Sequence, residues 1–196
     1  MTDSQRTRAG GKRERLVGAA SELLHQNGVA RTSLAKVAAA ADVPLGNVYY
    51  YFKTKDELVR AVIAAHAEAI RTELASLERQ YPFPLDRLKA FARSLARSGA
   101  DVSRHGCPHG TLCSELGKHE DGLDTAAAAL MGEYVDWAGE QFRLLGKQEE
   151  ARDLALTLVS VFQGASLLTH TFRDPDVMRG QAEQLERWLV TVAQPL

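Results

Sequence analysis

The 196-residue chain has no long apolar run, and this absence bears on where the protein works. No stretch approaches the roughly 20 consecutive apolar residues that a membrane-spanning helix needs. The N-terminal segment MTDSQRTRAGGKRER is charged and has no apolar h-region, unlike a secretory signal. We therefore expect a cytoplasmic protein.

Cysteine is scarce, with two residues in the chain. Cys107 and Cys113 are expected to be free thiols rather than a disulfide in that compartment. With His105, His109 and His119 they form the pattern H-x-C-x-H-x3-C-x5-H, which matches no standard zinc signature such as C-x2-C, so we predict no metal and no cofactor. The two cysteines remain candidate redox or electrophile sensors, because a nearby imidazolium or helix N-terminus lowers a thiol pKa.

Catalysis is not expected from this cysteine–histidine region. A catalytic Cys–His pair needs a third group that orients the histidine, and the sequence places none. The region instead contains several glycines and a proline, which is typical of the start of a short helix. We predict that the protein is not an enzyme.

Strand-like alternation is also missing, which points to an all-α fold. Alanine, leucine, glutamate, arginine and glutamine dominate, and an apolar content of 45% is ample for a core. Apolar periodicity and the positions of glycine and proline predict about nine helices. We expect the fifth to end near Ser98 and the sixth to span Thr111–Gly117.

The predicted domains follow from these helices. Residues 1–10 are polar and lack periodicity, which predicts a disordered N-terminal arm. Three short helices within 11–54 form a helix-turn-helix domain. Thr54 and Glu57 have the spacing of a capping box, which starts a long helix at Lys55. The larger helical domain spans residues 55–196.

Charge is distributed unevenly along the chain. Residues 1–60 contain ten Lys/Arg and six Asp/Glu, a net charge of +4, whereas the remainder contains fourteen and nineteen, a net charge of −5. A basic N-terminal part on an acidic body favours contact between that part and a polyanion.

The segment PLGNVYYYF, residues 44–52, has an apolar and a polar face when drawn as a helix. Leu45, Val48 and Phe52 form the face that we expect to be buried. The opposite face offers small, amide and phenolic groups, which suit hydrogen bonds to phosphates and contacts with base edges. That face consists of Gly46, Asn47 and Tyr50, with Tyr49 and Tyr51 on its flanks.

Two short helices joined by a tight turn form a helix-turn-helix, whose second helix enters the major groove of DNA. The polar aromatic face of residues 44–52 therefore predicts binding to double-stranded DNA. The alternative interpretation is a helical interaction module whose N-terminal part binds another protein.

The stretch RTSLAKVAAAADVPLGNVYYYFKTKDELVRAVI, residues 31–63, closely resembles the DNA-binding segment of the TetR family of transcriptional regulators. The matching features are the Thr-Ser start, the alanine-rich helix, the run Gly-x-Val-Tyr-Tyr-x-Phe and the Lys-Asp-Glu-Leu start of the next helix. Asp42 departs from the family pattern, which usually has glycine there. The stretch GCPHG, residues 106–110, more loosely resembles the C-terminal domains of the LmrA- and YxaF-like subgroup.

The resemblance implies a homodimer, by default a repressor, that binds a palindromic operator and is released by a small molecule. It also implies dimer contacts through the last two helices, about 149–192. Carried over position by position, it implies these DNA-binding residues: Thr32, Ser33, Leu45, Gly46, Asn47, Tyr49, Tyr50, Tyr51, Lys53 and Lys55.

The effector pocket can be predicted only from aromatic and apolar residues of the larger domain. Because such residues on helices usually form the core, the candidates indicate a region rather than a ligand set. They are Phe91, Leu112, Leu116, Met131, Tyr134, Trp137, Phe162 and His170. Few polar residues accompany them, which favours a moderately apolar small molecule.

Overall fold

The computed structural model describes residues 3–118 and 122–194, apart from the side chains of residues 3–10 and Leu95. Those residues form nine α-helices and no strand, so the predicted all-α class is confirmed. The helices are α1 (Asp3–Arg31), α2 (Leu34–Ala40), α3 (Leu45–Tyr51), α4 (Lys55–Gln80), α5 (Pro84–His105), α6 (Pro108–Leu116), α7 (Leu123–Leu144), α8 (Ala151–Phe172) and α9 (Asp176–Ala193).

The chain divides into two compact units. The first contains Met1–His66 and Thr111–Ala128, and the second contains Ala67–Gly110 and Ala129–Leu196. This division differs from the boundary expected between residues 54 and 55, because the first part of α4 belongs to the first unit. Leu58 and Val62 on that part of α4 are buried.

In the first unit, α1 buries Leu16, Ala20 and Leu24, which are spaced four residues apart and share one helical face. The helix is interrupted at Gly28, whose φ of 78° is outside the helical range. Glycine adopts this conformation without a steric penalty, so the helix can kink at this residue. Helical geometry resumes to Arg31.

The start of α1 differs from the sequence-based expectation. The helix begins at Asp3, within the segment 1–10 that was predicted to be a disordered arm. Glutamine and arginine in this segment are good helix formers, and they extend the helix N-terminally without an apolar face. Residues 1 and 2 of the predicted arm lie outside the described residues.

The turn between α2 and α3 explains the departure at Asp42. This residue has a φ of 50°, in the left-handed region that favours glycine. Aspartate is one of the few other residues that tolerate this region. Val43 is buried beside it and fixes the turn, and Pro44 then occupies the N-cap of α3.

In the second unit, α5 packs against α8 and α9. The largest buried side chains of the unit are apolar and come from five helices: Ile70, Leu88, Leu130, Phe142, Leu158, Met178 and Leu189. Their burial, at about 1.5–3 kcal/mol for each large side chain, is the main source of the unit's stability.

Two helix boundaries differ from those predicted. α5 continues past Ser98 to His105, because Gly99 lies inside the helix at a close approach to Pro175 instead of ending it. A Cβ at Gly99 would lie 3.0 Å from the Pro175 carbonyl oxygen. α6 begins at Pro108 rather than at Thr111, and proline suits the first position of a helix.

Candidate nucleic-acid interface and ligand cavity

The exposed face of α3 is aromatic. Val48 and Phe52 are buried in the first unit, whereas Tyr50 is 72% exposed and Tyr49 is 47% exposed. The Tyr51 ring is half-buried and meets the Tyr50 ring edge-on, with centroids 5.1 Å apart and an interplanar angle of 89°. Tyr50 is therefore the most exposed of the three tyrosines, and the Tyr51 ring supports its orientation.

Leu45 lies on the exposed surface of α3 and not on its buried face. The side chain is 41% exposed, which corrects the expectation that it packs with Val48 and Phe52. Leu45 is the first residue of the helix, so no preceding turn of α3 covers it. Gly46 beside it is exposed, and a Cβ there would have no heavy atom within 4 Å.

The two residues that precede α2, Thr32 and Ser33, differ in their burial. Ser33 is exposed and caps the helix, because its hydroxyl accepts the Lys36 N–H at 3.3 Å. Thr32 is buried, and its hydroxyl donates to the carbonyls of Gly28, at 2.9 Å, and Leu23, at 3.2 Å. The Thr32 side chain therefore stabilises the turn that precedes α2.

The two lysines after α3 contact backbone carbonyls. The ammonium of Lys53, an exposed residue, donates to the Tyr49 carbonyl at 2.7 Å. The ammonium of Lys55 donates to the Val29 carbonyl. Both cations lie near helix C-termini, where partial negative charge favours them. Of the other predicted contact residues, Asn47 is half-buried on α3.

A cavity of about 340 Å³ lies within the second unit. This volume is in the range of small-molecule sites, about 300–1,000 Å³. Its lining combines aromatic and apolar residues with several polar ones: Glu73, Phe91, Ser94, Arg97, Ser98, Val102, Cys107, Pro108, His109, Tyr134 and Phe162.

Three aromatic rings form one wall of this cavity. The centroid of Phe91 lies 5.7 Å from that of Tyr134 and 6.1 Å from that of Phe162, and the last two are 6.2 Å apart. These separations are typical of favourable tilted and edge-on aromatic pairs. The wall offers a ligand a preformed apolar surface.

A polar pair stands beside the aromatic wall. The Tyr134 hydroxyl lies 3.2 Å from Nδ1 of His109. Burial raises the pKa of the Tyr134 phenol, and the charges of Glu73 and Cys107 raise it further. The phenol therefore stays neutral at physiological pH and can donate one hydrogen bond.

Three of the predicted pocket residues line this cavity: Phe91, Tyr134 and Phe162. The Trp137 ring packs against Phe91 in a tilted arrangement, with centroids 5.6 Å apart. Trp137, Met131 and His170 lie in the second unit, but none of the three lines the cavity. Leu112 and Leu116 are buried residues of the first unit.

Sequence reasoning missed several polar residues of the lining, notably Glu73, Arg97 and His109. Part of the lining could have been predicted from the sequence. Phe91, Ser94, Ser98 and Val102 follow helical spacing on α5 and include two hydroxyls on an otherwise apolar stripe. Glu73 carried no comparable signal, because charged residues are common on exposed helix surfaces.

The two cysteines are free thiols, as expected. Cys107 is buried, and this burial raises its pKa, although the Gly110 N–H donates to its sulfur at 3.4 Å. The Cys113 thiol donates to the Ala127 carbonyl at 3.1 Å. Among the described residues, no group of three or more metal-ligating side chains comes together, and His119 of the predicted pattern lies outside them.

Helices α1–α3, the last of which presents an aromatic, polar-tipped face, define a helix-turn-helix DNA-binding protein. Comparison with known families agrees. Residues 16–62 match the family model of bacterial regulatory proteins of the tetR family, and residues 84–184 match the C-terminal domain of LmrA/YxaF-like transcriptional regulators. The chain belongs to the TetR family of transcriptional regulators.

Individual relatives support this assignment over most of the chain. The HTH-type transcriptional regulator LmrA of Bacillus subtilis is 26% identical, with coverage of 84% of this chain and 89% of LmrA. The transcriptional regulator AcuR of Cereibacter sphaeroides is 29% identical, with coverage of 91% of this chain and 85% of AcuR. These relatives are transcriptional regulators and not enzymes, as the sequence predicted.

Solved structures show the same fold. SCO4454, a TetR-family transcriptional regulator from Streptomyces coelicolor, superimposes with a TM-score of 0.83 at 22% identity, covering 94% of this chain and 97% of that one. The regulatory protein TetR from Rhodobacter sphaeroides gives a TM-score of 0.76 at 25% identity, covering 89% of this chain and 96% of that one.

Proposed function

We propose that this DNA-binding regulator is a repressor, that it binds a palindromic operator as a homodimer, and that a small molecule in the cavity of the second unit releases it. The observation that carries the proposal is the exposed face of α3. Tyr50 and Tyr49 are large aromatic side chains held in solvent while Val48 and Phe52 fill the core beneath them. A groove-reading surface accounts for this arrangement, because aromatic side chains are otherwise expected to be buried.

In this proposal α3 lies in the major groove. Leu45 and Gly46 make the closest approach, Asn47 and the three tyrosines contact base edges and phosphates, and Ser33 binds phosphate at the start of α2. Lys53 adds a cation near the backbone. Thr32 and Lys55 act less directly, because Thr32 is buried and the half-buried Lys55 donates to the Val29 carbonyl.

The dimer is proposed to form through α8 and α9. Five large apolar side chains on these helices are exposed: Leu156, Leu167, Leu168, Phe172 and Val190. Gly164 is exposed among them with open space around it, which allows a partner helix to approach closely. A symmetric dimer places the same apolar face of each subunit against its copy.

The effector is proposed to occupy the cavity against the aromatic wall of Phe91, Tyr134 and Phe162. Its moderately apolar body would pack on these rings, while a polar group would meet the neutral Tyr134 phenol. Three helices, α4, α6 and α7, have residues in both units, so a change in the second unit has a helical route to the first. Release requires that the ligand bind the two conformations with different affinity.

We place the protein in the cytoplasm, where its DNA target would lie. α8 is long and apolar enough, by length and composition alone, to cross a membrane. The proposed dimer explains the exposed apolar residues on α8 as well as a membrane span would. The family consists of DNA-binding regulators.

A thiol sensor is not favoured as an alternative. A reactive cysteine needs a stabilised thiolate, whereas burial raises the pKa of Cys107. Incubation with iodoacetamide should therefore label Cys107 slowly and leave DNA binding unchanged. Rapid stoichiometric labelling of Cys107 that releases DNA would support the sensor instead.

Selection from randomised duplexes tests the operator. The protein should enrich a near-palindrome whose half-site centres are separated by about 10–10.5 base pairs or a multiple. Its affinity should fall with salt with a log–log slope of about −0.9 for each phosphate contact. Enrichment of an unrepeated site, or of no site, would refute the dimeric operator model.

A cavity-filling variant tests the effector site. We expect Ser98→Trp to bind the selected operator normally but to lose release by compounds that a thermal-shift screen finds for the wild type. Ala96→Trp is the matched control, because Ala96 lies on an exposed part of the same helix. Equal release of the wild type and Ser98→Trp would place the effector site elsewhere.

A further inference from the structure

A carboxylate from α6 contacts the last turn of α1, directly after the kink at Gly28. The Val29 N–H donates to Oε2 of Glu115 at 2.6 Å, across 86 positions of sequence and within the first unit. Glu115 is half-buried in the last turn of α6. A short bond from an amide to an ionised, partly buried carboxylate is stronger than an ordinary backbone hydrogen bond.

The contact depends on glycine at position 28. A Cβ at Gly28 would lie 2.7 Å from Oε1 of Glu115 and 3.0 Å from Oε2, closer than side-chain carbons approach. Gly28 also has a φ of 78°, which side-chain-bearing residues rarely adopt. The kink in α1 therefore leaves the space that the carboxylate occupies.

A cation holds the other polar group of the same residue. The ammonium of Lys55 donates to the Val29 carbonyl, while the Glu115 carboxylate accepts the Val29 N–H. Val29 is thus fixed from both sides by charged groups of α4 and α6. We call this arrangement, consisting of Glu115, Val29 and Lys55, the Val29 clamp.

The clamp lies just before the DNA-binding helices. The Thr32 N–H donates to the Val29 carbonyl at 3.3 Å, and the Thr32 hydroxyl donates to the Gly28 carbonyl at 2.9 Å. Ser33 follows directly as the N-cap of α2. The orientation of Ser33 therefore depends on how the chain is held at Gly28 and Val29.

We propose that Glu115 is a positioning residue for DNA binding: through the Val29 clamp it holds the start of α2 in the orientation in which Ser33 meets the DNA backbone. This inference rests on the proposed contact of Ser33 with phosphate. Glu115 follows the helix-turn-helix by sequence, so the DNA-binding surface depends on α6 as well as on α1–α4.

Three variants test the inference on the duplex that the wild type enriches. Glu115→Ala removes the acceptor and should lower affinity at least about tenfold, as expected for loss of a charged hydrogen bond. Glu115→Gln keeps an oxygen that can accept the Val29 N–H and should stay within about threefold of the wild type. Cys113→Ala is the matched control on the same helix, because it removes a bond to Ala127 and leaves the clamp intact.

The hydrogen-exchange rate of the Val29 amide reports directly on whether the clamp is formed. It should accelerate at least about tenfold in Glu115→Ala and remain near the wild-type rate in Glu115→Gln and Cys113→Ala. Thermal melting shows whether each variant is folded. If Glu115→Ala is unfolded, the DNA affinity and the Val29 exchange rate of Glu115→Gln are compared with those of the wild type instead. Faster exchange in a folded Glu115→Ala with unchanged DNA affinity would overturn the positioning role.

An unchanged Val29 exchange rate in Glu115→Ala would overturn the clamp itself. A tenfold loss of affinity in Cys113→Ala would also count against the inference, because it would show that any disturbance of α6 has the same effect. If the wild type enriches no duplex, the operator model fails, whereas the exchange rates still decide whether the clamp exists.

Discussion

His66 is a half-buried residue of α4 that contacts α1 within the first unit. Its Nε2 lies 3.1 Å from the Ser21 hydroxyl, which links α4 to α1. Burial lowers the pKa of His66, and the charge of His25 lowers it further. The neutral imidazole is therefore the form that the folded protein favours.

We predict that stability falls as the pH drops below about 6.5, the usual histidine pKa. In this range the unfolded chain binds a proton at His66 that the folded chain does not, so the free energy of unfolding decreases and then levels off below the folded-state pKa. Urea titrations at about pH 7.5 and about pH 5.5 measure the difference. His66→Gln should show a smaller pH dependence, and an equal dependence in both proteins would contradict the assignment.

At the residue scale, sequence reasoning succeeded where helical periodicity decides exposure. The wheel placed Tyr50 opposite Val48 and Phe52, as the structure has it. It could not anticipate that Lys55 contacts the Val29 carbonyl, because that partner lies 26 positions away. The local spacing of residues does not predict contacts between helices.

The start of α4 shows how a local motif determines an element. The Glu57 N–H donates to the Thr54 hydroxyl at 3.1 Å, and the Glu57 carboxylate accepts the Lys53 N–H at 2.7 Å. In the usual capping box the glutamate contacts the N-cap N–H, whereas here it contacts the preceding residue. The predicted start at Lys55 is nevertheless confirmed.

We predict that Thr54→Ala destabilises the protein by about 1 kcal/mol, the usual cost of an N-cap. Thr72→Ala is the matched control, because Thr72 is exposed in the interior of the same helix and alanine is a better helix former there. Urea unfolding midpoints compare the two variants. Equal midpoints for both would show that the cap contributes nothing.

At the element scale, helix existence was predictable and some ends were not. The capping box of Thr54 and Glu57 correctly marked the start of α4. The end of α5 was missed because Gly99 is usually a stop signal, and only packing against Pro175 explains its place inside the helix.

At the scale of the whole molecule, the proposed dimer gives a role to the apolar residues that the folded chain leaves exposed. Leu167 is 65% exposed on α8, beyond the helical core that Leu158 and Met178 fill. A charge placed there would remain solvated in a monomer but would be buried in a dimer.

We predict that Leu167→Glu raises the dimer dissociation constant at least about a hundredfold without unfolding the subunit. Sedimentation equilibrium measures the constant, and circular dichroism checks the fold. Leu144→Glu is the control, since Leu144 is a comparably exposed leucine at the end of α7. A wild-type protein that is monomeric at micromolar concentration would contradict the dimer.

The cavity also belongs to this scale, and it was only partly predictable. Of the aromatic residues predicted for the pocket, Phe91, Tyr134 and Phe162 line the cavity. Leu112 and Leu116 were placed in the wrong unit, since sequence order puts α6 in the larger domain while its packing puts most of it in the first unit. Only the folded chain reveals that division.

The central claim is that α3 reads the operator through Tyr50. The most direct measurement is the affinity of Tyr50→Ala for the enriched duplex and for an unrelated duplex, with Phe83→Ala as an equally exposed aromatic control in the second unit. We expect Tyr50→Ala to lose at least about tenfold in affinity for the enriched duplex and to change little on the unrelated one, and we expect no change for Phe83→Ala. Wild-type affinity of Tyr50→Ala for the enriched duplex would contradict this claim.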